Sequence, residues 1–335
     1  MKTIYDIAKD LKVAPSTVSK ALNGGPGVSE KTRKKIVRYA NKVRYIPNAN
    51  ASRLKTKRSY SIGIIYSESL NIGLEHHFFS RVIQSFKDSV EKSGYEITFV
   101  IKNLGNIEMT FLEFCRHKQL DGVFIVVAEP SDPDLIELIA SGIPCVTTDM
   151  IDDNVFTVMS DNLHGSKVAV QKLFEAGHRR IGHVSGPVDS IAGVERLVGY
   201  REGLKEVGLE GNEDYIYIAK EFNFEAGYFA VANMLNLPET ERPTALYICS
   251  DDIALGVLKR LKENGYKIPR DIALIGFDDI PFACHFEPPL STMRQDTQLL
   301  GESTATYLIN KIEGKDMDDS KELRIKPIYI QRESV

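Results

Sequence analysis

Residues 3–24, TIYDIAKDLKVAPSTVSKALNG, decide how the first part of the chain folds. Thr3 precedes apolar residues at Ile4, Ile7, Ala8 and Leu11, the spacing of one helical face, and Asp6 lies in the first turn, where the helix dipole favours an acid. The pattern predicts a short capped helix that stops near Lys12. After Val13 and Ala14, Pro15 suits the first position of a second helix, because its missing N–H costs nothing there. Val18, Ala21 and Leu22 then share one face and leave Pro15, Ser16, Thr17, Ser19 and Lys20 outward. These are small polar side chains able to enter a major groove and bond to bases or phosphates.

Asn23-Gly24-Gly25-Pro26-Gly27 breaks the second helix, and Ser29 caps a third over residues 30–44. Ile36, Val37 and Ala40 are expected inward, with Lys31, Arg33, Lys34, Arg38 and Lys42 outside. Three helices of this kind make an all-α helix-turn-helix head over residues 1–46. The GGPG run is not a phosphate loop, since no Gly-Lys-Ser/Thr follows and no strand precedes it.

Charge supports the same division. The first 58 residues hold fifteen Lys or Arg against three Asp or Glu, whereas the remainder hold 27 against 43. The formal net charge of −4 therefore conceals a basic arm on an acidic body. Such an arm draws its affinity from phosphate neutralisation, while the acidic body resists lying on DNA. A three-helix bundle that binds nothing does not account for this separation.

At 335 residues and 43% hydrophobic, the chain is too long for one ordinary domain. Its longest apolar runs, 122–128 and 246–249, are far short of the roughly 18 residues of a membrane span. The N-terminus lacks an apolar signal region, so a cytoplasmic protein with no membrane partner is expected. Cys115, Cys145, Cys249 and Cys284 form no Cys-x-x-Cys pair and are expected reduced and buried.

From Tyr60 onward, short apolar runs alternate with amphipathic segments: SIGIIYS, EITFVIK, GVFIVV, CVTTD, then IGHVSG, YIYIA, TALYICSD and ALIGFDD. This predicts an α/β body built twice, as two doubly wound parallel-sheet lobes. Open α/β sheets bind ligands at the carboxyl ends of their strands. Those ends carry Asp149, Asp161, Ser250, Asp251, Asp252, Asp278 and Asp279, with Arg196 on the helix after IGHVSGP. Carboxylates accept hydroxyl protons and Arg offers a bidentate fork, so the set suits a polyhydroxylated or amphoteric small molecule. Asp251 and Asp279 are expected to cap helices or brace loops rather than touch a ligand.

YDIAKDLKVAPSTVSKALNG, followed by VSEKTRKKI and YIPNANASRL, resembles the head and hinge of the LacI/GalR family of bacterial transcription regulators. The resemblance continues through LFEAGHRRIGHVSGP, ERLVGYREGL, SDDIALG and LIGFDDIPFACHFEPPLSTMRQD, and so covers nearly the whole chain. It implies that Pro15, Ser16 and Lys20 read bases and that Tyr5, Thr17, Ser19 and Asn23 lie near phosphates. Ala14 stands where many members carry a Ser cap. The resemblance also implies a hinge over residues 47–59 that folds on DNA, with Asn48 as cap and Ala51 small enough for close helix approach. Leu54 would be the minor-groove wedge, and Arg53, Lys55, Lys57 and Arg58 would lie near the backbone.

For the body, the resemblance implies the periplasmic sugar-binding-protein fold with an effector between the lobes. Arg196 and Asp278 are implied as the first effector contacts, Asp149 as the next, and Phe222 as a stacking aromatic. Phe78 and Phe79 would close the near wall, and Ser250 stands where some sugar-binding members place Asn. The expected lobes are residues 60–160 with 291–320, and 161–290 with 321–335; residues 298–312 should form a helix on the first lobe. No leucine heptads follow the body, so a homodimer reading a pseudo-palindromic operator is expected. An enzyme reading is disfavoured: the seven histidines show no ligand spacing, and there is no G-x-S-x-G or Walker motif. No cofactor, metal or catalytic residue is expected. The function expected is a DNA-binding regulator, a repressor in first place, controlled by a sugar or sugar derivative. The alternatives are control by another metabolite or a protein corepressor, or an architectural DNA protein with a vestigial pocket.

Overall fold

The computed structural model describes residues 2–22, 24–45, 58–66, 74–315 and 320–335. The chain divides into two compact units, Met1–Tyr60 and Ser61–Val335. In the first, α1 (Ile4–Leu11), α2 (Pro15–Leu22) and α3 (Glu30–Lys42) surround a small core of Ile7, Ala8, Val18, Ala21, Ile36 and Ala40. Thr3 and Asp6 form a reciprocal capping box: Thr3 Oγ1 accepts the Asp6 N–H at 3.3 Å, and the Asp6 carboxylate accepts the Thr3 N–H at 2.7 Å. Lys12 ends α1 in a left-handed conformation, φ 53°.

Two expectations for α3 are corrected. Val37 is 37% exposed, because it lies about 100° around the helix from the buried Ile36. Arg33 does not simply face solvent: its guanidinium donates to the Ala21 carbonyl at 3.3 Å and to the Gly25 carbonyl at 2.8 Å, where the end of α2 would otherwise leave acceptors unmet. The helix also ends at Lys42, two residues early, and Arg44 has φ 51°.

The second unit opens with β1 (Ser61–Tyr66), α4 (His77–Lys92) and β2 (Glu96–Phe99), then a small hairpin of β3 (Asn103–Leu104) and β4 (Ile107–Glu108). α5 (Phe111–Lys118), β5 (Gly122–Val127), α6 (Pro133–Ala140), β6 (Cys145–Thr147) and β7 (Phe156–Ser160) continue the first lobe. The second lobe contains α7 (Asn162–Glu175), β8 (Ile181–Ser185), α8 (Ile191–Glu206), β9 (Ile216–Ile218), α9 (Phe224–Ala230) and α10 (Ala232–Asn236). It continues through β10 (Ala245–Ile248), α11 (Asp251–Glu263), β11 (Ala273–Asp278) and β12 (Ser291–Arg294). After it come α12 (Thr297–Glu313), β13 (Glu322–Ile325) and β14 (Ile328–Ile330).

The first sheet runs β13-β7-β6-β5-β1-β2, all parallel, and the second runs β14-β12-β11-β10-β8-β9 with β14 antiparallel at one edge. GVFIVV in β5 is buried along its whole length, as a parallel strand covered on both faces must be. α12 lies on the first lobe: Ser85 of α4 donates to the Gln298 carbonyl at 2.7 Å, and Tyr307 stacks on Phe156 of β7 at 3.6 Å.

The chain passes between lobes three times: at Asp161, at Gln295 and Asp296, and at Lys326 and Pro327. This shifts the expected lobe limits. Residues 291–294 pair with β11 in the second sheet, and residues 322–325 pair with β7 in the first. Pro327 lies between β13 and β14 and cannot continue a ladder, so LRIKPIYI divides between two sheets. Cys284 is exposed, unlike the buried Cys115, Cys145 and Cys249. Among the described residues no helix is long and apolar enough to cross a membrane.

Candidate effector cleft and DNA-reading face

On the head, Val18 and Ala21 hold α2 to the core and turn Pro15, Ser16 and Lys20 to solvent. Thr17 and Ser19 are half-buried beside them, and Tyr5 on α1 is 72% exposed. The Thr17 and Val18 N–H groups both donate to the Ala14 carbonyl, so the backbone of Ala14 opens the helix without a side-chain cap. Asn23, Asn48, Ala51, Arg53, Leu54 and Lys55 lie outside the described residues.

In the body, Arg196 occupies the centre of the second-lobe wall. It projects from α8 and is only 5% exposed. Its Nε donates to Asn162 Oδ1 at 2.9 Å and its Nη1 to the Cys249 carbonyl at 2.5 Å. The guanidinium lies 3.8 Å over the Phe277 ring, and Nη1 is 3.7 Å from Asp278 Oδ1. Nη2 makes no hydrogen bond among the described residues, so one donor edge is available for a ligand.

Asp278 ends β11 with φ 118° and Asp279 follows with φ 56°, two successive non-glycine residues in a sparsely populated region. Side-chain bonds hold this turn. Gln295 Nε2 donates to Asp278 Oδ1 at 2.6 Å, while Arg294 and Arg332 each donate to Asp279 at 2.6 Å. Asp251 is buried and accepts from the Thr292 hydroxyl at 2.7 Å and the Ile280 N–H at 3.0 Å. It fits there because residue 276 is glycine: a Cβ would stand 2.1 Å from Asp251 Oδ1. Asp251 and Asp279 thus brace the loop, as expected of them.

Asp149, half-buried beyond β6 in the first lobe, lies within electrostatic reach of Arg196. Burial pushes its carboxyl up to about 7, and the Arg196 charge offsets part of that rise. Asp278 is likewise pushed up to about 7 by burial, opposed by Arg196 and by the Gln295 hydrogen bond. Asp149 also raises Tyr66, whose hydroxyl goes to about 12 chiefly through burial. Phe79 packs between Tyr66, His76 and Phe78 at 6.2, 5.0 and 5.1 Å. His76 is driven down to about 4 by burial and by the charges of His77 and Arg196, so its ring is neutral at pH 7. Its Nδ1 is buried with no hydrogen-bond partner among the described residues.

Arg196 and Asp278 thus adjoin, with Asp149 within electrostatic reach, and buried Phe79 packs against half-buried Phe78. Phe222 lies over the end of β8, where a Cβ on Gly186 would come within 2.7 Å of its ring. Ser250 and Asp161, each next in chain to a residue that holds Arg196, are helix caps: Ser250 Oγ accepts the Ile253 N–H at 3.3 Å, and Asp161 accepts the His164 N–H at 3.0 Å. Sequence reading missed His76, Tyr66, Asn162 and Gln295. Only His76 carried a usable signal, as the neighbour of the two phenylalanines in HHFF.

A further chain of bonds runs outward from Arg196. Asn162, which orients its Nε, donates to Glu195 Oε2 at 2.9 Å, and Glu195 pairs with Arg324 at 2.7 Å. Asn162 follows the first crossover, Gln295 lies in the second, and Arg324 precedes the third. The corner is thereby bonded to one residue within a connection between lobes and to residues beside the other two.

Residues 3–48 match the family described as bacterial regulatory proteins, lacI family, and residues 170–335 match a periplasmic binding protein-like domain. The ribose operon repressor of Haemophilus influenzae is 31% identical over 340 residues, covering 100% of this chain and 99% of that protein. The chain belongs to the LacI family. Other relatives of this LacI-family regulator include the transcriptional repressor PurR of Vibrio atlanticus, 31% identical over 100% of this chain and 99% of that protein. The regulator CelR of Thermobifida fusca is 30% identical over 93% of this chain and 92% of its own length. A solved CelR–cellobiose complex superposes with TM-score 0.73 at 28% identity over the full length of both chains. The lac repressor dimer bound to operator and the anti-inducer ONPF gives 0.79 at 25% identity, covering 99% of this chain and 98% of that one. The chain is accordingly a DNA-binding transcriptional regulator, and its relatives are regulators rather than enzymes.

Proposed function

We propose that this regulator is a dimeric repressor whose operator affinity is set by a neutral sugar or sugar derivative bound between the lobes. Pro15, Ser16 and Lys20 read the operator, Tyr5, Thr17, Ser19 and Asn23 hold phosphates, and Asn48, Ala51, Arg53, Leu54 and Lys55 add DNA contacts. Arg196, Asp278 and Asp149 hold the effector, with Phe222, Phe78 and Phe79 around it. The observation that carries the effector reading is the Arg196 corner, where a guanidinium with one uncommitted nitrogen lies 3.7 Å through Nη1 from Asp278 and within electrostatic reach of Asp149, and is bonded to residues in or beside the three crossovers. A vicinal diol satisfies such a corner, with each hydroxyl donating to a carboxylate and accepting from Arg196. A phosphate or carboxylate would meet two acidic groups and one guanidinium with two nitrogens already committed, so a neutral ligand is favoured. The cellobiose complex of CelR supports the same class.

An effector that draws the walls together biases the crossovers, and through them the hinge, with a coupling of about 1–3 kcal/mol, or roughly 5- to 150-fold in operator affinity. The test is thermal melting of the full chain without DNA against ribose, cellobiose, other neutral sugars, sugar phosphates and nucleobases. A rise with a neutral sugar that disappears in Arg196→Ala, without loss of folding, supports the reading. A rise confined to anionic ligands, or one that survives Arg196→Ala, refutes it.

A further inference from the structure

Outside the reading helix, the head carries a second concentration of positive charge. Along α3, Lys31, Lys34, Lys35, Arg38 and Lys42 recur at three- and four-residue spacing, and all five are exposed. With Leu11 and Tyr39 they line a pocket of about 340 Å³. At about 1.5 Å per residue the row extends roughly 16 Å. Lys31, Lys35, Arg38 and Lys42 have no hydrogen bond or ion pair among the described residues, and Lys34 has only the exposed Glu30, 3.9 Å away. Like charges at this spacing oppose their own helix by about 0.2–0.5 kcal/mol per pair. A polyanion laid along the row would reverse that cost.

The row is separate from the face that reads bases. Val18 and Ala21 of α2 and Ile36 and Ala40 of α3 enter one core, so the outward faces of the two helices diverge from a common centre. A duplex held by Pro15, Ser16 and Lys20 leaves the α3 row open. Point charges on flexible stems suit phosphates rather than base edges, and an extended row of one sign suits an extended polyanion.

We infer that the α3 row is a second DNA surface, which takes the phosphate backbone of another duplex segment while the reading helix holds the operator. It requires only the DNA-binding character of the head and is independent of the effector. Each neutralised phosphate contributes about 0.9 to the salt slope, so four or five contacts give a slope near 4 and a loss of about 250-fold between 50 and 200 mM salt.

Mass photometry of the full-length protein on its operator, with a 30-base-pair duplex lacking the operator sequence, counts the duplexes per complex. The wild type should carry at least one additional duplex at 50 mM salt and lose it at 200 mM. Lys34→Gln, Lys35→Gln, Arg38→Gln and Lys42→Gln together should abolish the addition, while operator affinity at 150 mM salt stays within about threefold, since these side chains project from α3 rather than from the reading helix and salt screens exposed charges over ~8 Å. The Lys35→Gln, Lys42→Gln pair alone should reduce the slope to about 2 and guards against a folding defect in the fourfold variant. The inference is overturned if the wild type binds no additional duplex, if the fourfold variant still binds one, or if operator affinity falls in step with the addition.

Discussion

Arg196 is held by Asn162 and the Cys249 carbonyl in an orientation that leaves one nitrogen uncommitted, and burial pushes the nearby carboxyls of Asp149 and Asp278 up to about 7. A buried acid with its folded pKa raised above the unfolded value of about 4 binds its proton more tightly when folded. Asp149 and Asp278 therefore contribute stability at low pH that is lost as pH rises from about 4 to about 7. A sugar hydroxyl donating to either carboxylate favours the charged form and lowers its pKa, so binding near pH 7 should release protons and tighten between about pH 6 and 8. Titration calorimetry in buffers of different ionisation enthalpy reads the proton count directly, and proton uptake would contradict the assignment. The orphaned Nδ1 of His76 should take a ligand hydroxyl. His76→Phe keeps the ring against Phe79 and should weaken the effector about tenfold, the worth of one neutral hydrogen bond, with melting of the ligand-free protein little changed. Asp149 and Asp278 were legible in sequence at the ends of β6 and β11, and Arg196 on the helix after IGHVSGP. Asn162 and Gln295 were not, because their roles come from partners distant in the chain.

Among the elements, β11 and α11 depend on an unusually close approach, with Asp251 reaching over Gly276 to the Thr292 hydroxyl and the Ile280 N–H. Gly276→Ala forces a Cβ against a buried carboxylate and should lower stability by about 1–3 kcal/mol, measured as a reduced denaturant midpoint with unchanged slope. Helices of the head were legible in detail, down to the Thr3–Asp6 cap, since caps and 3.6-residue spacing are local. Val37 escaped because a helix face narrower than expected left it at the boundary. The lobe limits escaped for a different reason. An apolar run identifies a strand but not its sheet, and β12 and β13 each joined the lobe not expected of them.

At the scale of the molecule, segregated charge announced a DNA-binding arm on an acidic body, and the repeated α/β pattern announced two lobes. The bonded route between them was invisible in sequence. It runs from Asp278 through Gln295 to the second crossover, and from Arg196 through Asn162 and Glu195 to Arg324. Glu195→Gln weakens this route without touching the ligand corner. Effector affinity should stay within about threefold, while the coupling between effector and operator falls by about 0.5–2 kcal/mol, roughly 2- to 30-fold. Equal losses in affinity and coupling would place Glu195 in the binding site instead. The most direct measurement of the central claim is operator affinity by fluorescence anisotropy, with and without the neutral sugar that raises the melting temperature. A change of about 5- to 150-fold in the wild type, absent in Arg196→Ala, is the predicted result. An operator affinity indifferent to a sugar that demonstrably binds the cleft would contradict it.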